Sequence, residues 1–217
     1  MARSQRRHPA TEEAREQLAE FLRASSTARV FRYPTSHPAG PTGFCACDHP
    51  GLGMLRVWLR GALLETVLKL PSNRLKLRVL RRVGVSIGRG VYISPGAWVD
   101  PVYPQLISIE DGVFIGVGAR IFTHEFRRHE FRAGRVIIRR GAFVGAHSLI
   151  ACGVEIGEDA TVAAGTALAR DVPPGYTALG NPARIVPRRA EPDGTEIEQY
   201  AKVGASTSSA ATDPRRR

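Results

Sequence analysis

The sequence predicts an all-β solenoid of short parallel strands, preceded by an N-terminal helical segment. Two observations carry the solenoid. An aliphatic residue stands at every sixth position in three runs: Ile87, Ile93 and Val99; Ile109, Ile115 and Ile121; then Ile138, Val144, Ile150, Ile156, Val162 and Leu168. Two residues before each stands a small or apolar partner, from Val85 and Val91 to Ala160 and Thr166, and the residue after is Gly, Ala or an acid at nine of the twelve. Six residues are three strand periods, so the same side chains face inward on every short strand, whereas a helical period of 3.6 does not fit. Each coil of such a solenoid must bury its open end against a neighbour or a cap.

The elements follow in order. Residues 11–25 (TEEAREQLAEFLRAS) predict a helix with Thr11 as N-cap and acids in its first turn. Residues 33–53 are rich in Pro and Gly and read as a loop, so 1–53 forms an N-terminal helix and linker. Residues 54–70 (MLRVWLRGALLETVLKL) are helical in composition and apolar nearly all round, and Pro71 ends them. Residues 74–82 (RLKLRVLRR) alternate cation and aliphatic and fit helix or strand, and 54–83 as a whole reads as a basic cap. The repeat domain occupies 84–187 and is interrupted twice, at 100–106 (DPVYPQL) and at 122–135 (FTHEFRRHEFRAGR). A solenoid needs neither loop for stability, which makes the interruptions the places for function. Residues 188–217, rich in Ser, Thr and Ala, read as a disordered tail.

Bulk properties narrow the classes. No run of eighteen uncharged apolar residues is present, so no transmembrane helix is expected, and the basic N-terminus lacks the apolar core of a signal peptide. Three cysteines cannot form a disulfide framework, which fits a reducing cytoplasm. Cys45, Cys47 and His49 have the wrong spacing for the common zinc ligand pairs and no second half. Of the net charge of +11, +7 falls within 51–83, which holds eight Lys/Arg against one acid. The segment has no groove-reading motif, so nucleic acid is not expected as a partner. Residues 54–82 read as a helical cap that closes the N-terminal end of the solenoid and, compatibly, as a basic, apolar collar in peripheral contact with an anionic membrane.

Two motifs identify a resemblance. Ile121–His124 (IFTH) puts a histidine at the mouth of the long loop, and 142–186 ends in DVPP (171–174) and GNPAR (180–184). Over about 84–187 the chain resembles the hexapeptide-repeat acyltransferases, in particular the maltose, galactoside and exopolysaccharide O-acetyltransferases. The resemblance implies a left-handed parallel β-helix with three hexads per coil, hence about four coils. It also implies a homotrimer with clefts between neighbouring solenoids, and direct acyl transfer from acetyl-CoA or another acyl-CoA to a sugar hydroxyl, with no metal. A thioester is already activated but a sugar hydroxyl is a poor nucleophile, so one general base near neutral pH is the main requirement. His124 matches the family's catalytic histidine. Polysaccharide or glycolipid synthesis would be the setting, in the cytoplasm or at the inner face of the membrane.

The remaining sites also follow from the resemblance. On the acceptor side stand Ser94, Asp100, Glu125, His129 and Glu130, with His129 or Glu130 also able to orient His124. On the donor side the small residues Gly145, Ala146, Ala163 and Ala164 would admit the pantetheine arm. Pro182 belongs to the same side, and Arg170 and Arg184 would meet the nucleotide phosphates. His147 reads as structural or near the donor channel. The chain departs from the family pattern at Ser94, where an Asn is common, at Phe143, where a Trp is typical, at Ala146, where Ser or Asn is usual, and at Arg170, where Lys is usual. These departures bear on the acceptor more than on the reaction class. Two rivals use the same scaffold. One is a γ-carbonic-anhydrase-like metal hydratase built on the H-x4-H spacing of His124 and His129, although Gly88 stands where a third histidine is expected. The other is a catalytically inactive scaffold.

Overall fold

The computed structural model describes residues 9–23, 27–34, 52–127 and 129–187. Helix α1 (Pro9–Leu22) and strand β1 (Val30–Pro34) come first. The helix opens two residues before Thr11, on a proline whose missing N–H costs nothing in the first turn, so Thr11 lies inside it and is not its cap. Helices α2 (Leu52–Lys69) and α3 (Asn73–Arg82) follow. The segment 74–82 is therefore helical: Ser72 caps it by accepting from the Leu75 amide, and Lys76 and Leu80, four residues apart, are its buried side chains. The Cys45–Cys47–His49 cluster and the tail lie outside the described residues.

The repeats then wind into four coils. The first is β2 (Ser86–Ile87), β3 (Tyr92–Ile93) and β4 (Trp98–Val99). The second is β5 (Ile107–Ile109), β6 (Phe114–Ile115) and β7 (Arg120–Ile121). A hairpin of β8 (His124–Arg127) and β9 (Glu130–Gly134) leaves the solenoid and returns. The third coil is β10 (Val136–Ile138), β11 (Phe143–Val144) and β12 (Leu149–Ile150), and the fourth is β13 (Glu155–Ile156), β14 (Thr161–Val162) and β15 (Ala167–Leu168). Strand β16 (Tyr176–Leu179) adds to the solenoid and β17 (Arg184–Pro187) folds back antiparallel against it.

Each coil gives one strand to each of three parallel faces. The first face stacks β2, β5, β10 and β13, the second β3, β6, β11, β14 and β16, and the third β4, β7, β12 and β15. The six-residue beat sets the register. Ile87 pairs with Ile109, Ile109 with Ile138 and Ile138 with Ile156 on the first face. Val99, Ile121, Ile150 and Leu168 stack likewise on the third. Eleven of the twelve beat residues are buried and Ile87 is partly so, and all twelve partners two residues earlier are buried. The interior is thus three columns of aliphatic side chains in line.

Corner glycines let the coils approach. A Cβ on Gly116 would lie 2.6 Å from the Ala146 nitrogen and 2.8 Å from the Gly145 carbonyl carbon, both backbone atoms of the next coil. Gly116→Ala is expected to cost about 1–3 kcal/mol, as overpacking does where backbone cannot yield, read as a lower denaturant midpoint with an unchanged slope.

The first coil and the long loop are covered by different segments. Leu64 and Leu68 of α2 and Leu80 of α3 are buried in one cluster with Val85, Val91 and Ile93 of the first coil. Residues of the expected N-terminal linker region do more than connect. β1 pairs antiparallel with β9, which pairs with β8, and α1 lies over this small sheet through Ala14, Leu18 and Phe21. The second cluster also holds Tyr103 and Leu106 of the short insertion and Phe131 of the hairpin. Segment 9–34 therefore supports the long loop.

Candidate functional site

Both interruptions of the repeat begin at the same corner. β4 and β7 are neighbours on the third face, and the chain leaves the solenoid just after each, at Asp100 and at Phe122–His124. Residues 24 apart in sequence are thereby brought together. His124 Nδ1 lies 2.6 Å from Asp100 Oδ2. The same oxygen accepts from the Thr123 amide at 3.0 Å and the Thr123 hydroxyl at 2.8 Å, while Oδ1 accepts from the Val102 amide at 2.9 Å. The Asp100 side chain is fully buried and that of His124 is 17% exposed. Burial pushes the Asp100 carboxyl up, but the His124 bond and charge and the two amides outweigh it and hold the group below the ordinary carboxylate range.

This bonding fixes the imidazole. A carboxylate at Nδ1 accepts the proton there and leaves the lone pair on Nε2, which has no hydrogen-bond partner among the described residues. The rings of Tyr103, Phe126 and Phe131 frame His124 at centroid distances of 5.7, 5.7 and 6.3 Å. Burial, and then the Asp100 charge, push the Tyr103 phenol well above its usual range, so it stays protonated beside the dyad. An oriented, partly exposed imidazole backed by a buried carboxylate is suited to take a proton from a hydroxyl.

The other expected acceptor residues fall elsewhere. Asp100 has no exposed surface to offer an acceptor, so its place is behind His124. Glu125 is engaged within the hairpin, 2.6 Å from Arg132 and 2.9 Å from Arg127. Glu130 pairs across the hairpin with Arg127 and His129 is exposed in the turn, whereas His124 pairs with Ala133. Three strand residues, about 10 Å, separate His124 from that end, so neither His129 nor Glu130 orients it. For the same reason the H-x4-H pair does not converge. Ser94 is 4% exposed and lies at a different corner, between the second and third faces, where its amide bonds the Ile115 carbonyl.

Most of the expected donor residues share Ser94's corner. Gly145, Ala146, Ala163 and Ala164 line it, with Ala164 exposed and Gly145 buried. A Cβ on Gly145 would meet the Ala164 nitrogen at 2.5 Å, which makes this glycine a coil-packing requirement in the first place. His147 stands at the corner position held by Gly96, Gly118 and Gly165 in the other coils and adopts their left-handed backbone (φ 55°), with its ring over Gly118. That conformation is uncommon for a non-glycine residue. Pro182 and Arg184 are exposed at the β16–β17 end. Arg170 is exposed too, but it follows β15 at the corner of His124, two coils on. Within one chain Arg170 and Arg184 therefore stand at separate corners.

Comparison with known proteins agrees with this architecture. Residues 135–170 match the profile described as "Hexapeptide repeat of succinyl-transferase". Protein CapG of Staphylococcus aureus is 35% identical over 128 residues, which span 55% of this chain and 74% of CapG. The chain belongs to the hexapeptide-repeat acyltransferase family. YvoF of Bacillus subtilis (strain 168), whose name assigns it provisionally to the acetyltransferases, is 40% identical over 110 residues, 51% of this chain. The matched region spans 62% of YvoF's own length. A hexapeptide-repeat containing acetyltransferase from Vibrio cholerae superposes with a TM-score of 0.52 at 18% identity, over 68% of this chain and 98% of that one, and so shares its fold.

Two features of this family member were not legible as roles in its sequence. Asp100 as the support of His124 was one, and the signal for it was that both interruptions start immediately after a third-face beat residue, Val99 and Ile121. The aromatic frame of Tyr103 and Phe131 was the other, and it carried no local signature.

Proposed function

We propose that this protein is an acyl-CoA-dependent O-acyltransferase, acetyl-CoA being the first donor to test, and that it acylates a sugar hydroxyl in polysaccharide or glycolipid synthesis. The observation that carries the reading is the bond from His124 Nδ1 to the buried carboxylate of Asp100. His124 Nε2 takes the proton of the acceptor hydroxyl as its oxygen attacks the thioester carbonyl. The tetrahedral species collapses by breaking the carbon–sulfur bond, and the proton on Nε2 passes to the departing thiolate. No covalent acyl-enzyme is needed, because the acyl group moves from sulfur to oxygen in one ternary complex. Asp100 remains ionised and balances the imidazolium that forms, which is where its charge contributes most.

The reading includes a trimer of left-handed solenoids, as the family resemblance implies. His124 and the small-residue corner lie on separate edges of one chain, which supports a site completed between copies. The corner with Ala146 and Ala164 of one protomer would then face His124 of its neighbour. The assay is thiol release from acetyl-CoA in the presence of a panel of sugars and oligosaccharides, with the acetylated product identified by mass. Release that depends on a sugar is the expected result, and release with none of them would count against an acceptor of this class.

A further inference from the structure

The α2–α3 cap carries a surface that acyl transfer does not use. α2 turns Leu64, Val67 and Leu68 toward the first coil and leaves Leu55, Trp58, Leu59 and Leu63 outward, 46–67% exposed. At about 100° per residue Leu55, Leu59 and Leu63 share one outer arc with Trp58 at its edge, so they form one continuous patch. Cations line one side of it. Arg56 and Arg82 line the same open groove as Leu59 and Leu63, and Arg74 and Arg78 are exposed on α3. Segment 51–83 holds eight Lys/Arg against one acid.

From this juxtaposition we infer that the α2–α3 face docks on an anionic lipid surface, with Trp58 and the leucines in the headgroup region and the arginines on lipid phosphates. Among the described residues no helix is long and apolar enough to cross a membrane, so the contact lies in the plane of the interface. A second copy on this face would oppose one +7 segment with another, which disfavours self-association. A nucleic acid would use the arginines but has no counterpart for an aliphatic patch of this size. A bilayer surface satisfies both halves, and a tryptophan at the edge of an aliphatic patch is suited to its interface.

The docking does not depend on the acyl-transfer reading, yet it adds to it. On its inner side α2 donates from Arg60 Nη2 to the Val102 carbonyl at 3.0 Å, and the amide of Val102 bonds Asp100. The docked helix and the His124 corner are thereby joined, which suits an acceptor carried on a lipid.

The test is co-sedimentation of the intact protein with vesicles of mixed phosphatidylglycerol and phosphatidylcholine, and with phosphatidylcholine alone, at low and high salt. Tryptophan emission, from Trp58 and Trp98 together, is recorded in parallel. The protein is expected to pellet with the mixed vesicles at low salt only, with a blue-shifted emission. Arg74→Glu/Arg78→Glu should weaken binding by about tenfold or more. Trp58→Ser should weaken it and remove the shift. Both variants alter exposed side chains and should keep the wild-type melting temperature. The inference is overturned if the protein stays in the supernatant with both vesicle types, or if it binds neutral vesicles equally well. It is also overturned if Trp58→Ser instead abolishes a self-association seen by sedimentation velocity, or if an RNA oligonucleotide binds while vesicles do not.

Discussion

Asp100→Asn is expected to lower kcat by about 10²-fold or more while leaving the acyl-CoA KM within a factor of a few. The neutral amide cannot balance an imidazolium, and it can donate to Nδ1 as readily as accept from it, which turns the wrong tautomer toward the acceptor. A fall in kcat with an acyl-CoA KM near that of the wild type separates this from simple structural damage, which would lower both donor binding and turnover. Stability moves as well. Oδ2 accepts from the Thr123 amide and hydroxyl besides facing His124. Losing acceptor capacity there is expected to cost about 1–3 kcal/mol.

The sign of the pH dependence follows from the same bonds. The folded-state carboxyl of Asp100 titrates below its ordinary value. Its contribution is therefore complete above the unfolded pKa of about 3.9 and is lost as pH falls through the lower folded value. Denaturation midpoints between neutral pH and about pH 3 should show a steeper acid loss for the wild type than for Asp100→Asn.

How much of this was legible follows from the residues themselves. The beat specified the coils because every sixth side chain has one buried destination. Ile109 stacks on Ile138 despite 28 intervening residues, since the hairpin leaves and returns at a single corner. The hairpin was not legible. FTHEFRRHEFRAG scatters charges over both faces, and its outer partner β1 comes from a segment that reads as part of a linker. Pairing between residues about 100 positions apart, such as Val30 with Gly134, leaves no local pattern. The site divides in the same way. His124 could be read from a motif at a break in the repeat, whereas Asp100 needed the coil register that puts the two breaks on one edge. Arg170 and Arg184 share a C-terminal motif region in sequence, and the winding carries them to different corners.

His124→Ala is the second large effect and the central one. Proton removal by His124 Nε2 is the step that the thioester cannot supply for itself, so kcat should fall by about 10²–10⁴-fold. Folding should be preserved, since the side chain is partly exposed and lies outside the aliphatic columns. The decisive measurement is sugar-dependent thiol release from acetyl-CoA by wild type and His124→Ala at equal enzyme concentration, with donor affinity and oligomeric state checked in both. Loss of release with donor binding and assembly intact is the predicted result. A variant that keeps most of the wild-type rate would contradict the account.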